Sequence, residues 1–330
     1  MSLILGLNLP QYIYLVSDTR LTLKKENGNE YKDNFSKFYS FNNFSVVVAG
    51  NAHLANFILK KIGESNLINY EFKTFEERID EKIKSILSDY LSVGGEYAST
   101  YLIFAGFDKS AKKQINSSQY GKTLANTFIP GQKQMINKEI IQKLVEAGVR
   151  NGPGDKKGEK GVIGSIEKDT ILEIDFPYSS IITVEVNLPN EPIIKKVDCY
   201  KYVMKAPGGL NESNLPKELA YKLEKQQSVS ETGEETIQAQ SVALMAWIIK
   251  IIEDNKLETV GGEIMVNMIT PEGAIIMTGV MTSLNIKTKE IKKVSEIEVC
   301  EGQFCVRNKD GKFIPLENIY NFNGKGNFEL

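Results

Sequence analysis

Two short apolar runs at the head of the chain constrain its fold more than anything that follows. Leu3-Ile4-Leu5-Gly6-Leu7 and Tyr12-Ile13-Tyr14-Leu15-Val16 are nearly uninterrupted in apolar character and are bounded by polar or turn-forming residues. Runs of this length and content read as short strands separated by turns. The second run ends in Ser17-Asp18-Thr19-Arg20. An isolated Lys37 then leads straight into Phe38-Tyr39-Ser40-Phe41, and Phe44-Ser45-Val46-Val47-Val48-Ala49-Gly50 follows. A carboxylate, an ammonium and a glycine therefore fall at strand ends, and Ser2 adds a hydroxyl at the very start. That is the inventory of a nucleophile site.

Whole-chain properties narrow the function. With 330 residues, 42% of them hydrophobic, the chain can bury a large core. Its 40 basic and 42 acidic residues leave a net charge of -2, which gives no reason to expect a nucleic-acid partner. No apolar run approaches the roughly 20 residues needed to span a bilayer. The N-terminus lacks the basic start and cleavage site of a signal peptide, so a cytoplasmic location is expected. The three cysteines, Cys199, Cys300 and Cys305, are too few for a disulfide framework and complete no tetrahedral metal site.

His53 is the single histidine, so any hydroxyl-imidazole arrangement depends on that one residue. Its place just after Gly50, at the start of a helical pattern, suits capping or packing. A hydroxyl nucleophile then needs another base, and a free α-amino group, with a pKa near 7.7–8.0, is one. Removing Met1 would place such an amine on Ser2 itself. Serine is small enough for ordinary methionine removal, so no propeptide is required.

The order of these residues resembles the N-terminus of proteasome-type peptidases: the proteasome β subunit, the HslUV peptidase and the Anbu family. In that group a nucleophile exposed as the first residue lies on the first strand. An Asp-x-Arg element closes the second strand, a lysine begins the next, and Ala-Gly precedes the first helix. Ser2, Asp18, Arg20, Lys37 and Ala49-Gly50 occur here in that order. The resemblance assigns catalytic roles to Ser2, Asp18, Lys37 and Gly50. Lys37 would favour the Ser2 alkoxide and lower the pKa of the amine, and Asp18 would hold that ammonium. The Gly50 N–H would face the developing oxyanion.

Beyond Gly50 the period changes. Leu54, Phe57, Ile58 and Ile62 recur at helical spacing, and Phe75, Ile79, Ile83, Leu87 and Tyr90 mark a second helix that ends at Gly94-Gly95. Thr74-Phe75-Glu76-Glu77 reads as its capping box. Lys24 to Glu30 reads as a polar turn at the rim of the site. A strand is expected over Tyr97 to Phe107, and the polar, glycine-rich stretch from about 108 to 170 reads as an insertion, with a helix over Lys138 to Ala147. Strands resume at Ile171 to Ile174, Ile181 to Val186 and Tyr202 to Met204. A helix over Pro216 to Gln226, a polar loop over Ser228 to Glu235, and a strongly apolar helix around Leu244, Met245 and Ile248 follow. Strands at Glu263 to Ile269 and Ala274 to Met281 come next. In the tail, Ile286 to Ile291 alternates in strand fashion, and Asn308 to Lys312 marks a hairpin turn.

Strands and helices in blocks argue for an α+β fold over a doubly wound sheet. The resemblance implies a four-layer αββα sandwich of the N-terminal-nucleophile hydrolase type, formed by one domain over 1–330 with a β-rich extension from about 284 to 330. It implies a peptide or protein substrate and a homo-oligomeric ring, leaves room for an unfolding ATPase partner, and calls for no cofactor and no metal. The family's second half carries a serine at a glycine-rich turn and Asp-x-x-Ser before a Gly-Gly. This chain has Gly209, with Ser213 four residues on, and Leu257-Glu258-Thr259-Val260 before Gly261. Two other functions fit the same residues: hydrolysis of a small acyl amide on this fold, and a catalytically silent assembly scaffold.

Overall fold

The computed structural model describes residues 2–9, 13–25, 28–33, 35–41, 44–116, 171–198, 201–206, 209–214, 216, 219, 223, 233–257, 259–269, 281–294, 297–300, 303–307 and 313–315. Every strand pairing among them is antiparallel.

The two apolar runs become β1 (Ile4–Asn8) and β2 (Ile13–Asp18), paired so that Ile4 faces Ser17 and Leu7 faces Tyr14. They lie at the heart of a seven-stranded sheet. On one flank stand β10 (Lys201–Ala206) and β11 (Gly209–Asn214); on the other, β12 (Glu263–Ile269), β13 (Met281–Asn285) and β14 (Ile291–Val294). Both faces of β1 and β2 are covered, which is why these strands are continuously apolar instead of alternating. Leu3, Leu5, Leu7, Tyr14 and Val16 pack with Leu244, Met245 and Ile248 of α3 (Gly233–Asp254). Ile4, Ile13 and Leu15 face the other way, against the second sheet.

That second sheet has five strands in the order β5 (Phe38–Ser40), β6 (Phe44–Gly50), β7 (Ser99–Asn116), β8 (Ile171–Asn187) and β9 (Ile193–Val197). Phe38, Val47, Ile103 and Ile181 meet Ile4 and Leu15 in the space between the sheets. The approach is closest at Gly6, where a Cβ would stand 2.8 Å from Ile103 Cγ2. On its outer face the five-stranded sheet carries α1 (Ala52–Gly63) and α2 (Phe72–Ser92) over an aromatic cluster of Phe44, Phe72, Phe75 and Phe104. A smaller sheet of β15 (Ile297–Cys300), β16 (Gln303–Arg307) and β17 (Phe313–Pro315), and a hairpin of β3 (Leu21–Lys25) and β4 (Gly28–Lys32), complete the described strands.

Several local expectations are corrected. Helix α2 starts at Phe72 with Glu71 at its N-cap and no side-chain cap, so Thr74 lies inside the first turn. Burial of Phe72 beside Phe75, with ring centroids 5.5 Å apart, draws the helix start back past the capping box. Its end is as expected: Gly94, at φ +82, and Gly95 return N–H bonds to Leu91 and Tyr90. Lys24 to Glu30 is mostly strand, because Lys24 and Lys25 of β3 pair with Asn29 and Gly28 of β4. β7 runs on past Phe107 to Asn116, and Ile171 to Val186 is one strand, so the start of the expected insertion is the stem of a β7–β8 hairpin.

Of the stretch Ile286 to Ile291, only Ile291 is strand, and Ile286 to Thr288 form a turn. Asn285 Oδ1 accepts the N–H groups of Lys287 and Thr288, both at 2.9 Å, which bends the chain before β14 can begin. β16 and β17 pair as the tail hairpin requires, although its turn at 308–312 lies outside the described residues. The same holds for the expected helix at 138–147 and for all but the last residue of the expected strand at 274–281. Of the expected helix at 216–226, the described Leu219 and Leu223 are helical and buried. The expected loop ending at Glu235 gives way to α3 from Gly233. Among the described residues no helix is long and apolar enough to cross a membrane.

Candidate active site

β1 begins, β2 ends, β5 begins and β6 ends at one end of the paired sheets. The site grows from Asp18, the last residue of β2. Its N–H donates to the Leu3 carbonyl at 3.1 Å, and its Oδ1 accepts the Leu3 N–H at 2.9 Å. The residue directly after Ser2 is thus tied to Asp18 through both backbone groups. Oδ1 also accepts from Lys37 Nζ at 2.5 Å. Oδ2 takes the backbone N–H of Arg20 at 3.3 Å and, at 3.4 Å, that of Gly261, which is 243 residues away in sequence.

This is a closed environment. Asp18 is 0% exposed and Lys37 1%. Burial pushes the Lys37 ammonium below the ordinary lysine range, and the Asp18 charge and hydrogen bond push it back. Lys37 is held in the second sheet through its carbonyl, which accepts the Val48 N–H at 3.1 Å. Gly50 lies two residues beyond Val48, at the exposed end of β6. Its φ of +102° suits glycine, and a Cβ there would stand 2.6 Å from the Ser99 carbonyl oxygen. Ser2 is half-buried just ahead of β1.

Of the residues singled out from sequence, Asp18 and Lys37 are in contact, Ser2 adjoins the segment they fix, and Gly50 stands at the same end of the sheets. Ser213 does not join them. It faces Tyr202 on β11, level with Leu7, five strand positions from Ser2 and so roughly 17 Å along the sheet. His53 is exposed in the first turn of α1, whose cap is instead Asn51, accepting the Leu54 N–H at 2.9 Å.

Four contacts around the site lie beyond the sequence reading, which names Arg20 and the Gly-Gly pair without them. Thr19 Oγ1 accepts the Glu263 N–H at 2.8 Å, so the start of β12 is pinned beside Asp18. Arg20 pairs with Asp33 through Nε at 2.8 Å and Nη2 at 3.2 Å, closing the base of the β3–β4 hairpin. Gly261 lies so close under Arg20 that a Cβ would stand 2.1 Å from its Cζ. Gly262, at φ +76°, leaves 2.4 Å between such a Cβ and Thr19 Oγ1. The Gly-Gly pair was legible in sequence; that it reaches Asp18 follows from the pairing of Ile264 with Asp18. Among the described residues no cluster of three His, Cys, Asp or Glu side chains could hold a metal ion.

Fold and site together define an α+β chain of antiparallel sheets with a buried lysine-aspartate pair tied to the residue after Ser2. No protein-family model matches it, and no curated protein does. Among solved structures it is similar to Anbu (ancestral beta-subunit) from Yersinia bercovieri, with a TM-score of 0.36 and 10% identity over 89% of this chain and 87% of that one. It is also similar to a Gly-1 mutant of Anbu from Hyphomicrobium sp. strain MC1, with a TM-score of 0.34 and 8% identity over 82% and 83% of the two chains. At this distance neither activity nor substrate carries over.

Proposed function

We propose that this chain is an N-terminal-nucleophile amide hydrolase of proteasome-like type, with its helices and sheets stacked as a four-layer αββα sandwich and Ser2 as nucleophile once Met1 is removed. One observation carries the reading: a fully buried Asp18 carboxylate binds the Lys37 ammonium and the Leu3 N–H through the same oxygen. A buried ion pair is costly to assemble and gives no clear stability advantage over apolar packing, so its presence beside a strand start asks for a chemical use.

In this reading the Ser2 α-amine accepts the Oγ proton as Oγ bonds to the substrate carbonyl carbon. The Lys37 ammonium steadies the alkoxide, and the Gly50 N–H receives the oxyanion. The ammonium formed on Ser2 returns its proton to the leaving amine as the C–N bond breaks. Water, deprotonated by the same amine, then cleaves the ester to release the acid and restore Ser2. Peptides or proteins are the proposed substrates, in a cytoplasmic homo-oligomeric ring that an unfolding ATPase could serve. The chemistry calls on no cofactor.

The test is the intact mass and N-terminal sequence of the purified protein, with and without a β-lactone or epoxyketone probe. Loss of Met1 with one adduct on Ser2, absent in Lys37→Ala, is the expected result. Retained Met1, or a processed Ser2 that stays unlabelled by both probes, overturns it. The placement of Ser213 far from Ser2 favours a second reading, a catalytically silent scaffold, which predicts that negative outcome. A small acyl amide as substrate would appear instead as turnover of acyl amides without turnover of peptides.

A further inference from the structure

Lys205 stands out among the remaining charged groups. In β10 it pairs with Ile4 of β1, and Val203, two residues before it, packs between the sheets. The alternation of β10 turns Lys205 toward that same space, at the end where Ser2 lies. Continuing the alternation of β1 puts Ser2 on the Ile4 face, diagonal to Lys205 across neighbouring strands, a separation of about 7–8 Å. The Lys205 ammonium is 3.6 Å from the centre of the Tyr101 ring on β7. Tyr101 in turn pairs with Ala49, the neighbour of Gly50.

A half-buried ammonium is most often met by a carboxylate. Among the described residues Lys205 forms no ion pair. Glu185, the other strand partner of Tyr101, is not joined to Lys205 by a salt bridge. An aromatic face compensates an ammonium weakly and satisfies none of its N–H donors in the way an oxygen does. The ring covers one side of the cation, and among the described residues no hydrogen-bond acceptor meets the other.

We infer that Lys205, backed by Tyr101, is the anion-recognising subsite of the Ser2 cleft and takes a carboxylate of the substrate, an acidic side chain close to the scissile bond. The inference rests on the hydrolase reading for the identity of the cleft, but its test does not need turnover. By strand register the cation and Ser2 occupy diagonal positions on the same sheet face. An extended peptide whose carbonyl lies at Ser2 would bring a neighbouring side chain within reach of Lys205.

Equilibrium binding of fluorescein-labelled Ala-Ala-Glu, Ala-Ala-Gln and Ala-Ala-Lys amides to the full chain tests this directly, by anisotropy at low salt. The expected order is Glu over Gln over Lys, with a Glu-to-Gln ratio of about 5–30 that shrinks as salt is added. In Lys205→Met the ratio should fall to about one, and in Lys205→Arg it should survive; circular dichroism and unfolding midpoints check that both variants fold. Equal affinities for Glu and Gln in the unmodified chain, no binding of any peptide, or a Glu preference that persists in Lys205→Met would each overturn the subsite. Absence of Ser2 labelling together with an intact Lys205-dependent Glu preference would sink the hydrolase reading alone.

Discussion

Lys37 Nζ and Asp18 Oδ1 lie 2.5 Å apart with both side chains sealed from solvent. Removing either partner strands a charge, or forces it to neutralise, in a place water cannot reach. Lys37→Met and Asp18→Asn should each lower stability by about 3–5 kcal/mol, whereas the double variant should cost less than the sum. Urea unfolding of the four proteins measures this. Additive losses would mean that the two groups do not share one buried interaction.

The same pair sets a pH dependence. Burial holds the folded pKa of Lys37 below its unfolded value of 10.5. Between those two values the unfolded chain keeps a proton that the folded chain has lost. Stability from this group therefore rises with pH across the window, and the penalty is fully present below it. If Ser2 labelling uses the ammonium form, as proposed, it should show an alkaline limb at lower pH than an ordinary lysine. Asp18 raises the Lys37 pKa, so Asp18→Asn should move that limb further toward acid. Rates of probe labelling against pH decide it, and a limb unmoved by Asp18→Asn would remove Lys37 from the step.

Gly50 offers a backbone test. At φ +102° a Cβ is strained, and the Ser99 carbonyl and Thr100 Cα at 2.6 and 2.9 Å leave it no room. Gly50→Ala should cost about 2–4 kcal/mol in thermal or urea unfolding. Gly28, also at positive φ but with nothing within 4 Å, provides the control: Gly28→Ala keeps the strain and lacks the clash, so it should cost visibly less.

How far these features could be read in advance follows from their range in sequence. β1 and β2 announce themselves because both of their faces are covered, and α1 and α2 because one face of each packs on the Phe44 cluster. Asp18 and Lys37 were visible as charges at the ends of apolar strands. The start of α2 was not, since packing of Phe72 outweighed a local cap signal. Nor was the length of β7 and β8, because past Phe107 the pairing continues through polar residues such as Lys112 and Gln114 that carry no alternating pattern. The contact of Gly261 with Asp18 bridges 243 residues. It depends on which strand neighbours β2, and no local signal encodes that.

That long-range contact supports one more prediction. Arg20 lies against Gly261, whose N–H donates to Asp18, so the Arg20–Asp33 pair acts on the buried carboxylate through a glycine. The ion pair is partly exposed, with Asp33 at 39%, and by itself is worth only about 0–1 kcal/mol. Its larger effect should be steric. Gly261→Ala would drive a methyl group into the guanidinium, displacing either Arg20 or the Gly261 N–H. In an Arg20→Ala background that obstacle is gone, and the alanine should be tolerated better by about 1–2 kcal/mol, the coupling expected of groups in contact. Unfolding of the two single variants and the double variant gives the stability coupling. Ser2 labelling in the same set reports whether Asp18 has moved: the single Gly261→Ala variant should label slowly and the double variant should recover part of the rate. Equal losses with and without Arg20 would show that Gly261 is constrained by its own backbone and not by the side chain above it.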